Sequence, residues 1–249
     1  MCGRYVLING KMIFLLMGKN RLGSRKDALD DLPRFNAAPM QSMPVIAVRE
    51  GELVLQKMQW WLIPHWSKDG SIKTTTFNAK AETLDQSKIF APYFKSSRCL
   101  IPADAFYEWK KITIQKEVGG EIIDVQEKQP ICIRMKDHST FMFAGLFSVW
   151  RNDKGEEFPS FTIITTTPNM LMAEIHHRMP VILKEKHFDE WLDRENKKID
   201  DLKNLLISYP AAQMEAYAVS KYVSNSHNEG PECMKKAIPK DVSPISLNK

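Results

Sequence analysis

The chain has no long hydrophobic run. The most apolar stretch of its 249 residues is "MIFLLM" at 12–17, which lies between Lys11 and Lys19. That stretch is too short for a membrane span and also too short for the hydrophobic part of a secretory signal. We therefore expect a cytoplasmic protein without membrane contact, associated with the nucleoid if the source is bacterial.

Cysteine and histidine are sparse and scattered. The cysteines at positions 2, 99, 132 and 233 contain no CxxC pair, and neither they nor the 6 histidines have the spacing of zinc ligands. In a reducing compartment these cysteines are expected as free thiols and not as a disulfide framework. We predict neither a metal ion nor another cofactor.

Charge of one sign is not in large excess either. The chain has 35 Lys and Arg against 30 Asp and Glu, which gives a formal net charge of +5 at pH 7. This mildly basic balance permits a polyanionic partner such as a nucleic acid without requiring one. The position of the positive charge therefore matters more than its amount.

Short β-rich segments separated by turns make up most of the chain. Residues 43–50 and 51–64 predict two strands that turn at Glu50-Gly51, and residues 98–111 and 130–135 predict another pair. The polar segment 117–129 between that pair predicts a protruding hairpin. Two further apolar strands are expected at 140–150 and 160–167.

Helices are fewer. We expect one at 167–177, capped by Thr167 with Pro168 in its first position, one at 185–195, and a short one at 201–210. No linker rich in Pro, Gly or Ser and no repeat divides the chain. The sequence therefore predicts a single α+β domain over residues 1–227, followed by a loose tail at 228–249.

Cys2 follows a methionine that can be removed. Removal of Met1 would leave a thiol and a free α-amine on one residue. The thiol titrates near pH ~8.5 and the amine at about 7.7–8.0, so both are partly reactive at neutral pH. On its own, this cysteine is more simply explained as a residue that happens to follow the start.

Polar side chains recur in otherwise apolar stretches. Asn78, Lys80 and Glu82 alternate in "FNAKAET", and Glu108 lies between Tyr107 and Trp109. Each residue has an ordinary structural interpretation, for example a turn cap for Asn78 or a helix C-terminal cation for His176 or His177. If they converge, they supply a nucleophile, an acid, an amide and an imidazole.

The blocks "MCGRY", "FNAAP", "WWLIPHW", "FNAKAET", "RCLIPADAFYEW", "FAGLFSVW", "FTIITTTPN" and "HHRMPVIL" occur in this order. Together they resemble the SRAP family, the SOS response-associated peptidases. The resemblance runs from residue 2 to about residue 183, and "AVSKYVSN" resembles the closing strand of the family. It implies mixed, mostly antiparallel sheets with a barrel-like core, flanking helices and a monomeric protein.

The resemblance also implies a function in DNA repair. Family members shield abasic sites in single-stranded DNA through a covalent crosslink to the N-terminal cysteine, so single-stranded DNA with abasic sites is the expected partner. The chemistry agrees, since an amine attacks the open-chain aldehyde of an abasic sugar and a thiol on the same residue can close onto the imine as a thiazolidine. A lyase-like activity is expected together with the peptidase activity of the family name.

The resemblance assigns roles residue by residue. Cys2 is the nucleophile, Glu108 the acid and base, His176 the group that opens the sugar ring or shuttles protons, and Asn78 a hydrogen-bonding group. The expected DNA contacts are Arg4, Lys80, Arg178, Trp66, Trp109 and Thr165. Lys80 replaces the usual arginine, which keeps the charge but loses the bidentate fork. The doubled His176-His177 leaves open which imidazole faces the site.

Three other functions compete with this hypothesis. Glutamine amidotransferases with an N-terminal cysteine also begin Met-Cys-Gly, but there the amine serves as the base. A peptidase that processes its own leader is the second alternative, although only Met1 precedes Cys2 here. The third is a non-covalent single-strand binder that uses Arg4, Lys80 and Arg178 and does not need Cys2.

Overall fold

A computed structural model describes residues 2–18, 21–24, 27–119 and 121–237 of the chain. Within these residues the chain forms a single α+β domain in which two β-sheets hold most of the backbone. None of the described helices is long and apolar enough to cross a membrane. The strands and helices in chain order are β1 (Tyr5–Leu7), α1 (Gly10–Met17), β2 (Gly23–Ser24), β3 (Arg34–Ala37), β4 (Ser42–Arg49), β5 (Glu52–Trp60), β6 (Asn78–Lys80), α2 (Ala91–Ser96), β7 (Arg98–Ala103), β8 (Ala105–Val118), β9 (Glu121–Met135), β10 (Phe141–Arg151), β11 (Glu157–Thr166), α3 (Met170–Ala173), β12 (Met179–Pro180), β13 (Ile182–Leu183), α4 (Phe188–Leu192), α5 (Ile199–Asn204) and β14 (Met214–Ala218).

A closed barrel forms the centre of the domain. Strands β4, β5, β7, β10 and β11 pair in a ring whose members are antiparallel, except that β11 runs parallel to β5 where Ser160 lies beside Gln59. Its interior is apolar, and the fully buried Trp60 stacks on Phe161 with ring centroids 6.1 Å apart. The expected α+β fold with mostly antiparallel sheets and a barrel-like core is confirmed.

The second sheet carries the N-terminus of the chain. Its strand order is β14, β9, β8, β1 and β3, so β1 is an interior strand that pairs with β8 on one side and β3 on the other. Tyr5 of β1 is fully buried and lies edge-on to Trp60 and Phe143 of the barrel, at centroid distances of 5.1 and 5.9 Å. The segment that follows Cys2 is therefore fixed between the two sheets.

Several local predictions are confirmed. The turn between β4 and β5 is at Glu50-Gly51, where both residues have positive φ angles of 54° and 85°. The hairpin of β8 and β9 stays paired out to Val118 opposite Glu121. Gly120 of its expected turn lies outside the described residues. In α4, Phe188, Trp191 and Leu192 form the buried face.

Two local predictions are wrong. Helix α3 is not capped by Thr167 with Pro168, because the Asn169 side chain accepts a hydrogen bond from the Met172 amide at 2.9 Å and the helix starts after it. The loose tail does not begin at Asn228, because Glu229 forms an ion pair with Arg34 at 2.9 Å and Cys233 is fully buried. The rest of that expected tail, residues 238–249, lies outside the described residues.

Candidate active site

The register of β1 against β8 fixes the position of Cys2. Tyr5 lies opposite Phe106, and the Tyr107 amide donates to the Arg4 carbonyl at 3.0 Å. Continuing this antiparallel register by two residues places Gly3 opposite Glu108. The pairing of β1 with β8 therefore brings Cys2 beside the Glu108 carboxylate.

The thiol of Cys2 is enclosed. Its side chain is 0% exposed, and its Sγ lies 3.9 Å from the Arg4 carbonyl oxygen. Burial raises the pKa of the Cys2 thiol well above its ordinary value, and the negative charge of Glu108 raises it further. The thiol is thus protonated at neutral pH and differs from the activated thiolate of a cysteine hydrolase.

Glu108 is a buried carboxylate. Only 3% of the residue is exposed, and it belongs to β8, which lies between β1 and β9 in the second sheet. Burial raises the pKa of Glu108, and this is the largest of the effects on the group. A carboxyl group with a raised pKa keeps its proton to a higher pH than an ordinary one, which favours a role as proton donor.

His176 lies on the other side of this carboxylate. Its Nδ1 is 4.0 Å from Glu108 Oε1 and accepts a hydrogen bond from the Arg178 amide at 3.0 Å. Because Nδ1 is an acceptor in that bond, the proton of the neutral ring is assigned to Nε2. The pKa of His176 is lowered, mainly because the ring is partly buried, and this favours the neutral imidazole.

The two adjacent histidines are not equivalent. His177 is exposed and stacks on His176 with ring centroids 4.3 Å apart, whereas His176 is partly buried against Glu108. His176 is therefore the imidazole that faces the carboxylate. The stacking also fixes the plane of the His176 ring from its solvent side.

Asn78 is the first residue of β6 and is 8% exposed. Its Nδ2 donates to the Phe77 carbonyl at 2.8 Å, which turns Oδ1 inward. That oxygen is buried and has no hydrogen-bond partner among the described residues. A buried unpaired acceptor is costly, and it can receive a hydrogen bond from an amine or a sugar hydroxyl.

Arg178 and Thr165 are held by hydrogen bonds within the protein. The Arg178 guanidinium is held by both carboxylate oxygens of Glu82, at 2.6 and 2.9 Å, and by the Thr165 carbonyl at 2.6 Å. Thr165 is 0% exposed, and its hydroxyl donates to the Ala79 carbonyl at 3.3 Å. Thr165 is thus buried and bonded within the protein in this structure, and its expected DNA contact stays a prediction.

Arg4 is also bound within the protein. Its Nη1 donates to Asn36 Oδ1 and to the Val223 carbonyl, both at 3.0 Å, and its guanidinium lies over the Trp109 ring at 5.8 Å from the centroid. The Trp109 indole donates to Ser224 Oγ at 3.2 Å. The two residues therefore fasten the 223–224 segment beside the N-terminus.

Lys80 and Trp66 are exposed, as DNA-contacting residues would be. Lys80 ends β6 two residues after Asn78, and Trp66 lies in the loop after β5 with 55% of its surface accessible.

In the described part of the chain, no group of three or more His, Cys, Asp or Glu side chains is arranged to hold a metal ion.

Two residues with organising roles were not singled out as site residues from the sequence. Glu82 holds Arg178, and the fully buried Asn36 donates from Nδ2 to the carbonyls of Val223, Asn225 and Asn228. The signal for Glu82 was its alternation with Asn78 and Lys80. The signal for Asn36 was a polar residue within the apolar "FNAAP" block.

Comparison with known proteins gives a family match over most of the chain. Residues 1–226 match the family described as SOS response associated peptidase (SRAP). A relative from Bacillus subtilis (strain 168), named abasic site processing protein YoqW, is 42% identical over 200 residues, which is 80% of this chain and 84% of the relative. A Gallus gallus relative, named abasic site processing protein HMCES, is 30% identical over 245 residues, covering 87% of this chain and 71% of the relative.

Solved structures share the fold. The crystal structure of a Bacteroides thetaiotaomicron protein superposes with a TM-score of 0.77 at 24% identity, covering 95% of this chain and 100% of that one. A phage-related protein from Bordetella bronchiseptica superposes with a TM-score of 0.68 at 25% identity, covering 92% of this chain and 99% of that one.

Proposed function

The chain belongs to the SRAP family, and we propose that it processes abasic sites in DNA by forming a covalent thiazolidine with Cys2 after removal of Met1. The observation that carries the proposal is the arrangement of Cys2 beside Glu108, with His176 Nδ1 4.0 Å from the same carboxylate. The relatives named abasic site processing proteins support the substrate class. We propose single-stranded DNA as the form that binds, and a monomer as the active species.

The first step opens the sugar ring of the abasic site. His176 is held neutral, and its Nδ1 is occupied by the Arg178 amide, so Nε2 is the atom that exchanges protons with the sugar. Nε2–H donates its proton to the ring oxygen as the ring C–O bond breaks, and Nε2 takes up the proton that the anomeric hydroxyl loses. The product is an aldehyde that an amine can attack.

The second step joins the Cys2 amine to the aldehyde carbon. The amine attacks in its neutral form and gives a carbinolamine. Glu108, whose burial raises its pKa and so favours the protonated form, donates a proton to the carbinol oxygen, which leaves as water and leaves an iminium group. We assign Asn78 Oδ1 to accept a hydrogen bond from the amine or from a sugar hydroxyl, because this buried acceptor has no other partner within the described chain.

The third step closes the ring. The nitrogen keeps its proton as an iminium group, the Cys2 sulfur attacks the iminium carbon, and the thiol proton passes to the carboxylate left on Glu108. A carbon–sulfur bond forms, the imine π bond is lost, and Glu108 is restored to its protonated form. The adduct contains the protein and the DNA minus one water molecule.

The protonated thiol supports this order of events. Burial raises the pKa of the Cys2 thiol, so the amine is the better first nucleophile and the sulfur reacts when an adjacent imine is available. A peptidase or an amidotransferase would instead need the thiol as the first attacking group. The order of attack, with the amine before the sulfur, is what distinguishes the crosslinking function from these two alternatives.

A denaturing gel tests the proposal. Met1-free protein is incubated with a labelled single-stranded oligonucleotide that contains one abasic site, and matched samples contain Cys2→Ala and Cys2→Ser. The wild-type protein is expected to retain the label after denaturation, and neither variant should form a stable adduct. Retention of label by Cys2→Ala, or its absence in the wild type, would overturn the proposal.

A further inference from the structure

Glu82 and Arg178 form a bidentate ion pair at the edge of the active site. Arg178 is 9% exposed, whereas the Glu82 side chain is 44% exposed, so the pair reaches from the interior to the surface. Both carboxylate oxygens accept from the guanidinium, at 2.6 and 2.9 Å. A planar guanidinium in this geometry fixes the direction of its partner as well as its distance.

The pair joins two segments that border the same strand end. On one side of β11, Thr165 pairs with Lys80 of β6, and on the other side it pairs with Pro180 of β12. Glu82 lies in the 3-10 turn that directly follows β6, and Arg178 directly precedes β12. The guanidinium crosses the end of β11 and also donates to the Thr165 carbonyl at 2.6 Å.

Each of these segments carries one reactive group. Asn78 begins β6, four residues before Glu82. His176 is oriented by the Arg178 amide, which donates to its Nδ1 at 3.0 Å. The backbone of Arg178 therefore orients the imidazole, and the side chain of Arg178 is held in turn by Glu82.

We propose that Glu82 is a positioning residue, which holds Arg178 so that His176 and Asn78 keep their mutual geometry. This inference rests on the proposed crosslinking function. Arg178 belongs to this clamp, so its guanidinium is engaged by protein acceptors and Lys80 remains as the exposed cation of the segment.

Single-turnover kinetics test the role of Glu82. The rate of adduct formation is measured against protein concentration with a single-stranded oligonucleotide that contains one abasic site, which separates the maximal rate from the half-saturating concentration. Glu82→Gln keeps the size of the side chain but removes the charge and one acceptor oxygen. Asp85→Asn is the matched control, since it removes a neighbouring charge and breaks the Asp85–Lys203 ion pair of 2.9 Å without contacting Arg178.

The two variants are expected to differ in their maximal rate of adduct formation. Glu82→Gln should lower the maximal rate by about tenfold or more through misplacement of the reacting groups. Its half-saturating protein concentration should not rise, because the loss of a carboxylate reduces the electrostatic repulsion of the DNA phosphates. Asp85→Asn should leave both quantities within about twofold of the wild type. A maximal rate unchanged in Glu82→Gln, or lowered equally in Asp85→Asn, overturns the inference.

A second variant guards against simple misfolding. Arg178→Lys keeps the charge but loses the planar guanidinium that forms two parallel hydrogen bonds, and it should also lower the maximal rate. Because the two residues act as a unit, the double variant Glu82→Gln/Arg178→Lys should be no slower than the slower single variant. Additive losses would show that the residues act independently and would overturn the inference.

NMR of the His176 ring separates this inference from the proposed function. The imidazole resonances of His176 should move in Glu82→Gln and stay in place in Asp85→Asn, whether or not an adduct forms. Unmoved resonances in Glu82→Gln overturn the positioning role. Failure of the wild-type protein to form any adduct, with the resonances moving as expected, overturns only the proposed function.

Discussion

The carboxylate of Glu108 and the imidazole of His176 lie 4.0 Å apart, and burial shifts their pKa values in opposite directions. The pKa of Glu108 is raised and that of His176 is lowered, so both groups are driven toward their uncharged forms. A carboxyl group and an imidazole that both favour their uncharged forms place two groups that can transfer protons side by side. This pair is the basis of the predictions that follow.

Replacing Glu108 by Gln should slow the crosslink without weakening DNA binding. The amide keeps the size of the side chain but cannot donate a proton to the carbinol oxygen, so we expect the maximal rate to fall by about 100-fold or more. Single-turnover kinetics with an abasic single-stranded oligonucleotide give the rate, and fluorescence anisotropy with an intact oligonucleotide gives the affinity. A loss of affinity at an unchanged maximal rate would assign Glu108 to binding.

The same variant should be more stable than the wild type at alkaline pH. The folded protein raises the pKa of Glu108, so between the ordinary and the raised pKa the folded state binds more protons than the unfolded state. The free energy of unfolding of the wild type therefore falls as pH rises through that window. Glu108→Gln lacks this loss, so we expect its free energy of unfolding to exceed that of the wild type at alkaline pH.

Urea unfolding at a series of pH values measures this difference. The gain of Glu108→Gln over the wild type should shrink as pH falls toward the ordinary carboxyl pKa of about 4.3. A gain that does not depend on pH would indicate better packing as its cause. A loss of stability in Glu108→Gln at alkaline pH would contradict a raised pKa.

His176 and His177 should differ in their effect on the rate. His176 faces Glu108, whereas His177 is exposed and stacks on its outer face. We expect His176→Ala to lower the maximal crosslinking rate by about 100-fold and His177→Ala to change it by about threefold or less. The measurement is single-turnover adduct formation at saturating protein. A larger loss for His177→Ala would reverse the assignment.

Lys80 should contribute to DNA affinity through its charge. Each cation that neutralises a phosphate of single-stranded DNA adds about 0.7 to the slope of log affinity against log salt concentration. We expect Lys80→Gln to lower that slope by about this amount, whereas Lys80→Arg keeps it and tightens binding through the bidentate fork. Anisotropy at several salt concentrations measures both, and an unchanged slope in Lys80→Gln would place Lys80 outside the interface.

Much of the architecture could be predicted from local patterns. The turn at Glu50-Gly51 needs backbone angles that glycine adopts readily, and the buried face of α4 follows the spacing of Phe188, Trp191 and Leu192. The position of Cys2 beside Glu108 could be expected only from the family resemblance, because these residues meet through strand pairing between distant parts of the chain.

Other features depend on contacts that no local pattern encodes. The parallel pairing of β11 with β5 closes the barrel, and it joins segments about 100 residues apart in the chain. The family resemblance implies that Arg178 contacts the DNA backbone, whereas no local pattern shows that Glu82 lies across the end of β11 and holds its guanidinium. Asn228 and Glu229 have the composition of a tail, yet they are fastened by Asn36 and Arg34.

The mass of the intact protein tests the central claim most directly. Protein without Met1 is measured before and after incubation with a single-stranded oligonucleotide that carries one abasic site, and Cys2→Ala is treated in parallel. We predict a denaturation-resistant species with the mass of protein plus oligonucleotide minus one water, and no such species for Cys2→Ala. The absence of an adduct in Met1-free wild-type protein, with salt-sensitive binding retained in Cys2→Ala, would contradict the covalent mechanism and identify a non-covalent single-strand binder.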